Sequence, residues 1–232
     1  MKPTKLNIEI LPRSSGKINE SHESPQSQID GETMENGARE GFRLLVISDQ
    51  DLDFSEHIIK EKNGDEIGDI DIGLFVKNKI DLGTFFPIQF QPMFLDGDVE
   101  KESFLLVEVS TTITKDLINR MRRKAFCWWQ LYLHFQRCKM HIIYLFNRVE
   151  KELWMNIWES FPTWFRKEVT KKDRMIQFSI VWAPHFVVAS WPKDIQIKKQ
   201  ESNIENLLKI IENNKKDMNN MKERIYNLEK KI

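Results

Sequence analysis

The chain has 232 residues, 41% of them hydrophobic, which is enough for one domain of ordinary size with appendages and too much for a wholly disordered polypeptide. Its 35 basic residues balance 35 acidic ones, which excludes a global field that would draw the chain to nucleic acid or an anionic membrane, so any such attraction must be local. No run of about eighteen apolar residues occurs and the opening MKPTKLNIEILPRSSGK lacks the apolar core of a signal peptide, so a soluble, intracellular protein is expected.

Residues 1–34, which include RSSGKINESHESPQSQIDGETM, are expected to form a disordered tail, because few large apolar groups are present to offset the entropy of ordering. An α/β domain is expected over 35–192. Its first apolar run, GFRLLVIS, reads either as a strand or as the end of a short helix opening at Glu35 to Arg39. From Ile67 the text IGDIDIGLFV alternates, with Ile70, Ile72, Leu74 and Val76 pointing one way and Asp69, Asp71, Gly73 and Phe75 the other. That is a strand carrying carboxylates on one face. The segment between Asn78 and Glu102 holds FFPIQFQPMF, whose two prolines suit an edge strand or hairpin.

SFLLVEVS is a second strand, with Leu106, Glu108 and Ser110 on one face and Leu105, Val107 and Val109 on the other. Thr111 to Thr114 offer N-cap hydroxyls and Asp116 suits a positive helix end, so KDLINRMRRKAFCWWQLYLHFQ, free of Gly and Pro, is predicted as the main helix. Were Cys127 and Cys138 both on it, they would stand roughly 16 Å apart at about 1.5 Å per residue, beyond disulfide reach. Both are therefore read as reduced thiols. MHIIYLFN is a buried strand, and VEKELWMNIWESF a helix with Leu153, Trp154, Ile157, Trp158 and Phe161 at three-and-four spacing, ended by Pro162. MIQFSIVWAPHFVVAS supplies one or two strands broken near Pro184, after which Trp191 and Pro192 lead into a final helix. This order of elements implies an α/β layer fold, a mixed central sheet flanked by helices.

Residues 197–232 carry a heptad pattern. Ile197, Ile204, Ile211, Met218, Ile225 and Ile232 recur every seven residues, and Leu207, Asn214, Met221 and Leu228 follow four of them by three places. In a parallel pair of helices Asp217 would face Lys222 of the other strand and Arg224 would face Glu229, opposite in sign both times. A C-terminal coiled coil making a homo-oligomer, preferably a parallel dimer, is expected. Asn214 at a core position would set register at a cost in stability, while Leu208 and Ile210 widen the seam toward higher oligomers or a packed third helix. The competing reading is an amphipathic helix folded back on its own domain.

The two acid-bearing strands, DIDIG with Asp71 and LLVEVST with Glu108, resemble the signature of the PD-(D/E)XK (restriction-endonuclease-like) nuclease superfamily, an acid on one strand and Glu-x-Lys on its neighbour. The resemblance covers roughly Ile67 to Asn147. It implies a restriction-endonuclease-like core, with Asp71, Glu108 and the Val109 carbonyl as ligands for Mg²⁺ or Mn²⁺ and with Asp69 or Glu40 as an auxiliary carboxylate. Independently of any family, two carboxylates on neighbouring strands repel, and a hard divalent cation relieves this while polarising a phosphate and activating water. The chain departs from the signature where the lysine belongs: Ser110 stands there, and a neutral hydroxyl cannot stabilise developing negative charge. Lys115 is the expected substitute, and Arg120 or Lys124 would serve if the helix crosses above the site; some members of the superfamily carry the lysine on that helix.

Beside an acidic metal site the basic run Arg120, Arg122, Arg123 and Lys124 would contact phosphates, and Arg120, Arg123 and Lys124 are the expected nucleic-acid contacts. Alone, it is the solvated face of a helix. Trp128, Trp129, Trp154 and Trp158 sit in apolar periodic helices and are read as core. The histidines show no paired ligand spacing, and no G-x-x-x-x-G-K or zinc-type cysteine pair occurs, which disfavours nucleotide hydrolysis and zinc fingers. The function expected is a metal-dependent nuclease, or a degenerate nuclease-like domain, oligomerised by its coiled coil. The alternatives are a non-catalytic scaffold assembling through the same helix, and sequence-independent nucleic-acid binding without cleavage.

Overall fold

The computed structural model describes residues 2–13, 25–46, 53–62, 64–94, 96–113, 116–136, 138–149, 157–172 and 174–229. Met1–Pro192 form one unit and Lys193–Ile232 a second.

The alternation from Ile67 to Val76 produces extended chain, but in two strands and two sheets. Strand β3 (Glu66–Ile70) closes a three-stranded antiparallel sheet with β1 (Ile8–Pro12) and β2 (His57–Glu61), in the order β1-β2-β3. Strand β4 (Ile72–Val76) instead joins a five-stranded sheet with β5 (Gln91–Phe94), β6 (Ser103–Ile113), β7 (Met140–Val149) and β8 (Ile176–Trp182), in the order β4-β6-β7-β8-β5. The central strands β6, β7 and β8 are parallel, and β4 and β5 run antiparallel on the two edges. The sheet is therefore mixed, as the element order implies. Pro92 lies in β5, an edge strand, where a missing N–H is tolerated.

The disordered tail expected over 1–34 is corrected over 2–13 and 25–34; residues 14–24 lie outside the described ones. Ile8 to Pro12 pair with Glu61 to His57, and the helix α1 runs Pro25–Leu45. Three hydrogen bonds from the far side of the sequence tie down the first residues: Gln130 Oε1 accepts from the Leu6 N–H at 2.8 Å, Gln130 Nε2 donates to the Thr4 carbonyl at 2.9 Å, and Trp129 Nε1 donates to the Pro3 carbonyl at 2.9 Å. The stretch is also held by its apolar residues, with Ile8 in the buried core and Leu6 and Ile10 packed against it. GFRLLVIS likewise resolves as the end of a helix, up to Leu45, its last two residues lying outside the described ones.

Helix α3 (Leu117–His134) crosses from β6 to β7 and lays Met121, Ala125, Trp128 and Leu131 onto the sheet, where they meet Phe104 and Leu106 of β6 and Ile142 and Tyr144 of β7. The short helices α4 (Ile157–Ser160) and α5 (Thr163–Val169) bring Phe161 and Phe165 against Trp128 and Phe178. The longer helix expected from Val149 to Phe161 lies largely outside the described residues. Leu105 and Val107 alternate away from this core and are also fully buried, on the side from which α1 reaches β6. There Phe42 packs edge-on against Trp191, which also meets Phe86 and Phe90 next to the short helix α2 (Leu82–Phe85).

The last helix, α6 (His185–Glu229), begins six residues before Trp191, so HFVVAS is helical rather than a strand, and Pro192 lies inside it. The prolyl nitrogen cannot donate to the Val188 carbonyl one turn earlier, and the division between the two units falls at that residue. In the second unit the heptad positions Ile197, Ile204, Leu207, Ile211, Met218 and Met221 are each 53–60% exposed. Ile232 lies outside the described residues. Among the described residues no helix is long and apolar enough to cross a membrane. Cys127 is buried on α3, Cys138 lies beyond its end, and both are free thiols.

Candidate functional site

The two sheets meet at Asp71, the single residue between β3 and β4. Since Ile72 stands opposite Val107, one step back along the antiparallel register brings Asp71 beside Glu108, on the same face of the sheet. Both acids are withdrawn from water, Asp71 being 7% and Glu108 2% exposed. The Val109 N–H donates to Asp71 Oδ2 at 2.7 Å, which fixes one carboxylate against the neighbouring strand.

The cation that answers these acids comes from α3. Lys124 Nζ lies 2.6 Å from Glu108 Oε1 and 2.8 Å from Asp69 Oδ1. Helical spacing explains its direction: Met121, Lys124, Trp128 and Leu131 recur at intervals of three and four, so Lys124 interrupts the stripe that faces the sheet. Arg120, one turn before it, is a charge neighbour of Asp71, and Arg123 is exposed on the same helix. Lys115, expected as the basic partner, lies outside the described residues.

Of the expected auxiliary carboxylates, Asp69 stands beside the pair whereas Glu40 is exposed on α1, and Glu35 is a further charge neighbour of Asp71. Arg39 holds Glu35 Oε1 at 2.9 Å and also reaches Glu56 at 3.0 Å. Glu35 was not among the expected site residues. Its signal in the sequence was a carboxylate bordering the Met34, Ala38, Phe42 stripe, the same kind of interruption that marks Lys124.

Three carboxylates, Asp69, Asp71 and Glu108, thus surround one ammonium, while Glu35, paired with Arg39, is a charge neighbour of Asp71. Burial pushes the Glu108 carboxyl up to about 8, with Asp71 adding to the rise and Lys124 opposing it. Burial likewise raises Asp71 against the pull of Lys124, and burial with Asp71 nearby brings Glu35 to about 7. Asp69 goes the other way: burial would raise it, but the charge and hydrogen bond of Lys124, with Arg13, hold it below the usual carboxylate range. Lys124 stays well above its ordinary value because Glu108, Asp71 and Asp69 together outweigh its own burial. Crowded carboxylates of this kind are relieved either by protons or by a cation.

An open cleft of about 510 Å³ lies over Asp69 and Lys124, with Arg13, Glu66 and Gly68 along one side and Asp116, Arg120 and Arg123 along the other. Among the described residues no three His, Cys, Asp or Glu side chains are gathered closely enough to cage a metal by themselves. That donor set still fits Mg²⁺, which ordinarily takes one or two carboxylates and keeps water or substrate oxygen for its other positions. Compared with protein-family models, curated proteins and solved structures, the chain matches none.

Proposed function

We propose that this chain is a metal-dependent nuclease of the PD-(D/E)XK kind, with a restriction-endonuclease-like core, hydrolysing phosphodiesters in the cleft above Asp71, Glu108 and Lys124. Copies assemble through a coiled coil over Ile197 to Ile232. The observation that carries the reading is the meeting of two strand carboxylates with a lysine from a third element, Lys124 Nζ being 2.6 Å from Glu108 Oε1. A buried lysine kept charged by three acids is what the missing signature lysine would have to be.

Asp71, Glu108 and the Val109 carbonyl would hold the ion. The Val109 N–H already points to Asp71, and the N–H and carbonyl of one strand residue face the same edge, so that carbonyl is turned toward the same place. Bound there, Mg²⁺ or Mn²⁺ would neutralise a phosphate oxygen and lower the pKa of water. Lys124 has three N–H bonds; among the described residues two meet Glu108 and Asp69, leaving one for a phosphoryl oxygen or the attacking water. Arg120 and Arg123 hold flanking phosphates along the helix that presents Lys124. For assembly, the support is the exposed seam of Ile197, Ile204, Leu207, Ile211, Met218 and Met221, with opposite charges at Asp217 and Lys222.

A second reading is favoured by the same ion pairs. Lys124 already answers Glu108 and Asp69, so a non-catalytic scaffold assembling through the helix would keep the cluster as a closed network. Incubation with plasmid and with single-stranded substrates in Mg²⁺ or Mn²⁺ separates the two. Cleavage is expected, reduced at least about 100-fold by Asp71→Asn, Glu108→Gln or Lys124→Ala. Intact substrate after incubation with the folded protein and either metal rules hydrolysis out in favour of the scaffold.

A further inference from the structure

We infer that the substrate drawn into this cleft is a single strand of nucleic acid, held by its phosphates between Arg13 on one wall and Arg120 and Arg123 on the other. The inference deepens the hydrolytic reading of the site and rests on it.

The cleft has two walls of different origin. Arg13 follows β1 directly, on the three-stranded sheet, and its N–H donates to the Glu56 carbonyl at 2.8 Å, which fixes the backbone that carries it. Arg120 and Arg123 stand on α3. The walls close against each other at the base, where a Cβ on Gly68 would stand 3.0 Å from Cys127 Sγ, so β3 and α3 touch almost backbone to side chain.

Size and depth then select the ligand. A volume of about 510 Å³ suits a drug-sized molecule or a short piece of unpaired chain. Glu108 does not line the cleft but stands 2.6 Å behind its lining Lys124, only 2% exposed. A duplex is stiff, with a persistence length of about 150 base pairs, and cannot fold one backbone into such a recess; extruding a nucleotide from it costs a few kcal/mol. An unpaired strand enters without that cost.

The charges select the ligand's chemistry. Arg13 is a charge neighbour of Asp69 and Glu35, and Arg120 of Asp71, so guanidinium groups flank the acids from both walls. Arg13 and Arg123 are exposed and accessible to a phosphate. Among the described residues lining the cleft there is no aromatic ring, so bases gain no stacking platform and the backbone is the part recognised. Binding that rests on phosphates is tolerant of sequence and steeply salt-dependent.

Fluorescence anisotropy with the full chain tests this, using labelled single-stranded DNA, single-stranded RNA and blunt duplex of about 12 nucleotides, within the usual site size for unpaired strands. Titrations run between roughly 50 and 200 mM KCl, in EDTA and again with Ca²⁺. Single strands are expected to bind at least about tenfold tighter than duplex, with the DNA and RNA arms showing whether the 2′-hydroxyl matters. Arg13→Ala and Arg123→Ala should each weaken binding about five- to tenfold and reduce the slope of log K against log salt by about 0.7, while Lys139→Ala, exposed and outside the cleft, changes neither. Duplex bound as tightly as single strand, or Arg13→Ala behaving like Lys139→Ala, overturns the inference. Because binding is read apart from cleavage, duplex preference with metal-dependent cleavage intact removes the single-strand inference alone. Single-strand binding with no cleavage in Mg²⁺ or Mn²⁺ removes the hydrolytic reading alone.

Discussion

Replacing Lys124 with Met keeps most of the stem and volume of the side chain and deletes only its charge. In the native protein that charge sits 2.6 Å from Glu108 and 2.8 Å from Asp69, on a side chain that is 14% exposed. Removing one member of a buried ion-pair network typically costs about 3–5 kcal/mol, because the remaining charges have neither water nor partner. The loss must depend on pH. Glu108 titrates near 8, so above about pH 8 it is ionised and the full penalty applies, whereas at about pH 5.5 it carries a proton and only Asp69 and Asp71 need the ammonium. Urea denaturation followed by circular dichroism at about pH 5.5 and about pH 8.5 should show Lys124→Met destabilised at both, by at least about 1.4 kcal/mol more at the higher pH, the equivalent of one unit of pKa. Mg²⁺ should raise the midpoint of the variant more than that of the parent, since the place between the two carboxylates becomes free for a cation. A loss under about 1 kcal/mol, or one identical at the two pH values, refutes the view of Lys124 as the counter-charge of this site.

Glu108→Gln should flatten the fall of stability with pH. The folded carboxyl near 8 binds its proton more tightly than an unfolded one near 4.5, so its contribution is complete below about 4.5 and is lost as pH rises through about 8, on the order of 5 kcal/mol in all. Asp69, held low, acts only in the acid range and leaves that window untouched; a parent and a variant with parallel pH profiles would contradict the assignment. Gly37→Ala should cost about 1–3 kcal/mol in thermal unfolding, because its Cβ would meet the Val188 carbonyl oxygen at 2.5 Å, and unchanged stability would show that α1 and α6 are free to part there. Truncation after Pro192 should abolish self-association in sedimentation equilibrium while leaving the far-UV signal of the α/β unit, and Asn214→Leu should stabilise the assembly and loosen its register. A truncated chain that sediments as the parent does would place assembly elsewhere.

Much of the fold and part of the site are legible in residues that follow one another. Alternation along β4 and β6 states which side chains share a face; that Asp71 and Glu108 stand side by side is what the resemblance implied, and the register of Ile72 with Val107 places them so. The stripe of Met121, Ala125, Trp128 and Leu131 marks the buried side of α3 in the same way. Missed was the order in the first residues, because the partners of Leu6, Thr4 and Pro3 are Gln130 and Trp129, and nothing near them in sequence announces a pairing at that separation. The split of one alternating run into β3 and β4 was missed too, since alternation gives direction but not the sheet to which a strand belongs.

The amino-acid order by itself determined the local directions: which face of a strand bears an acid, which face of a helix is apolar, and where a heptad seam runs from Ile197 onward. Only the tertiary structure decided that Lys124 is the lysine beside Glu108, that Glu35 rather than Glu40 faces Asp71, and that Arg13 completes a cleft. The reason is physical. Periodicity is a property of neighbouring residues, whereas the turn of a helix that comes to lie over the end of a strand is set by side-chain packing summed over the whole layer, such as the contact of β3 with α3 at Gly68 and Cys127.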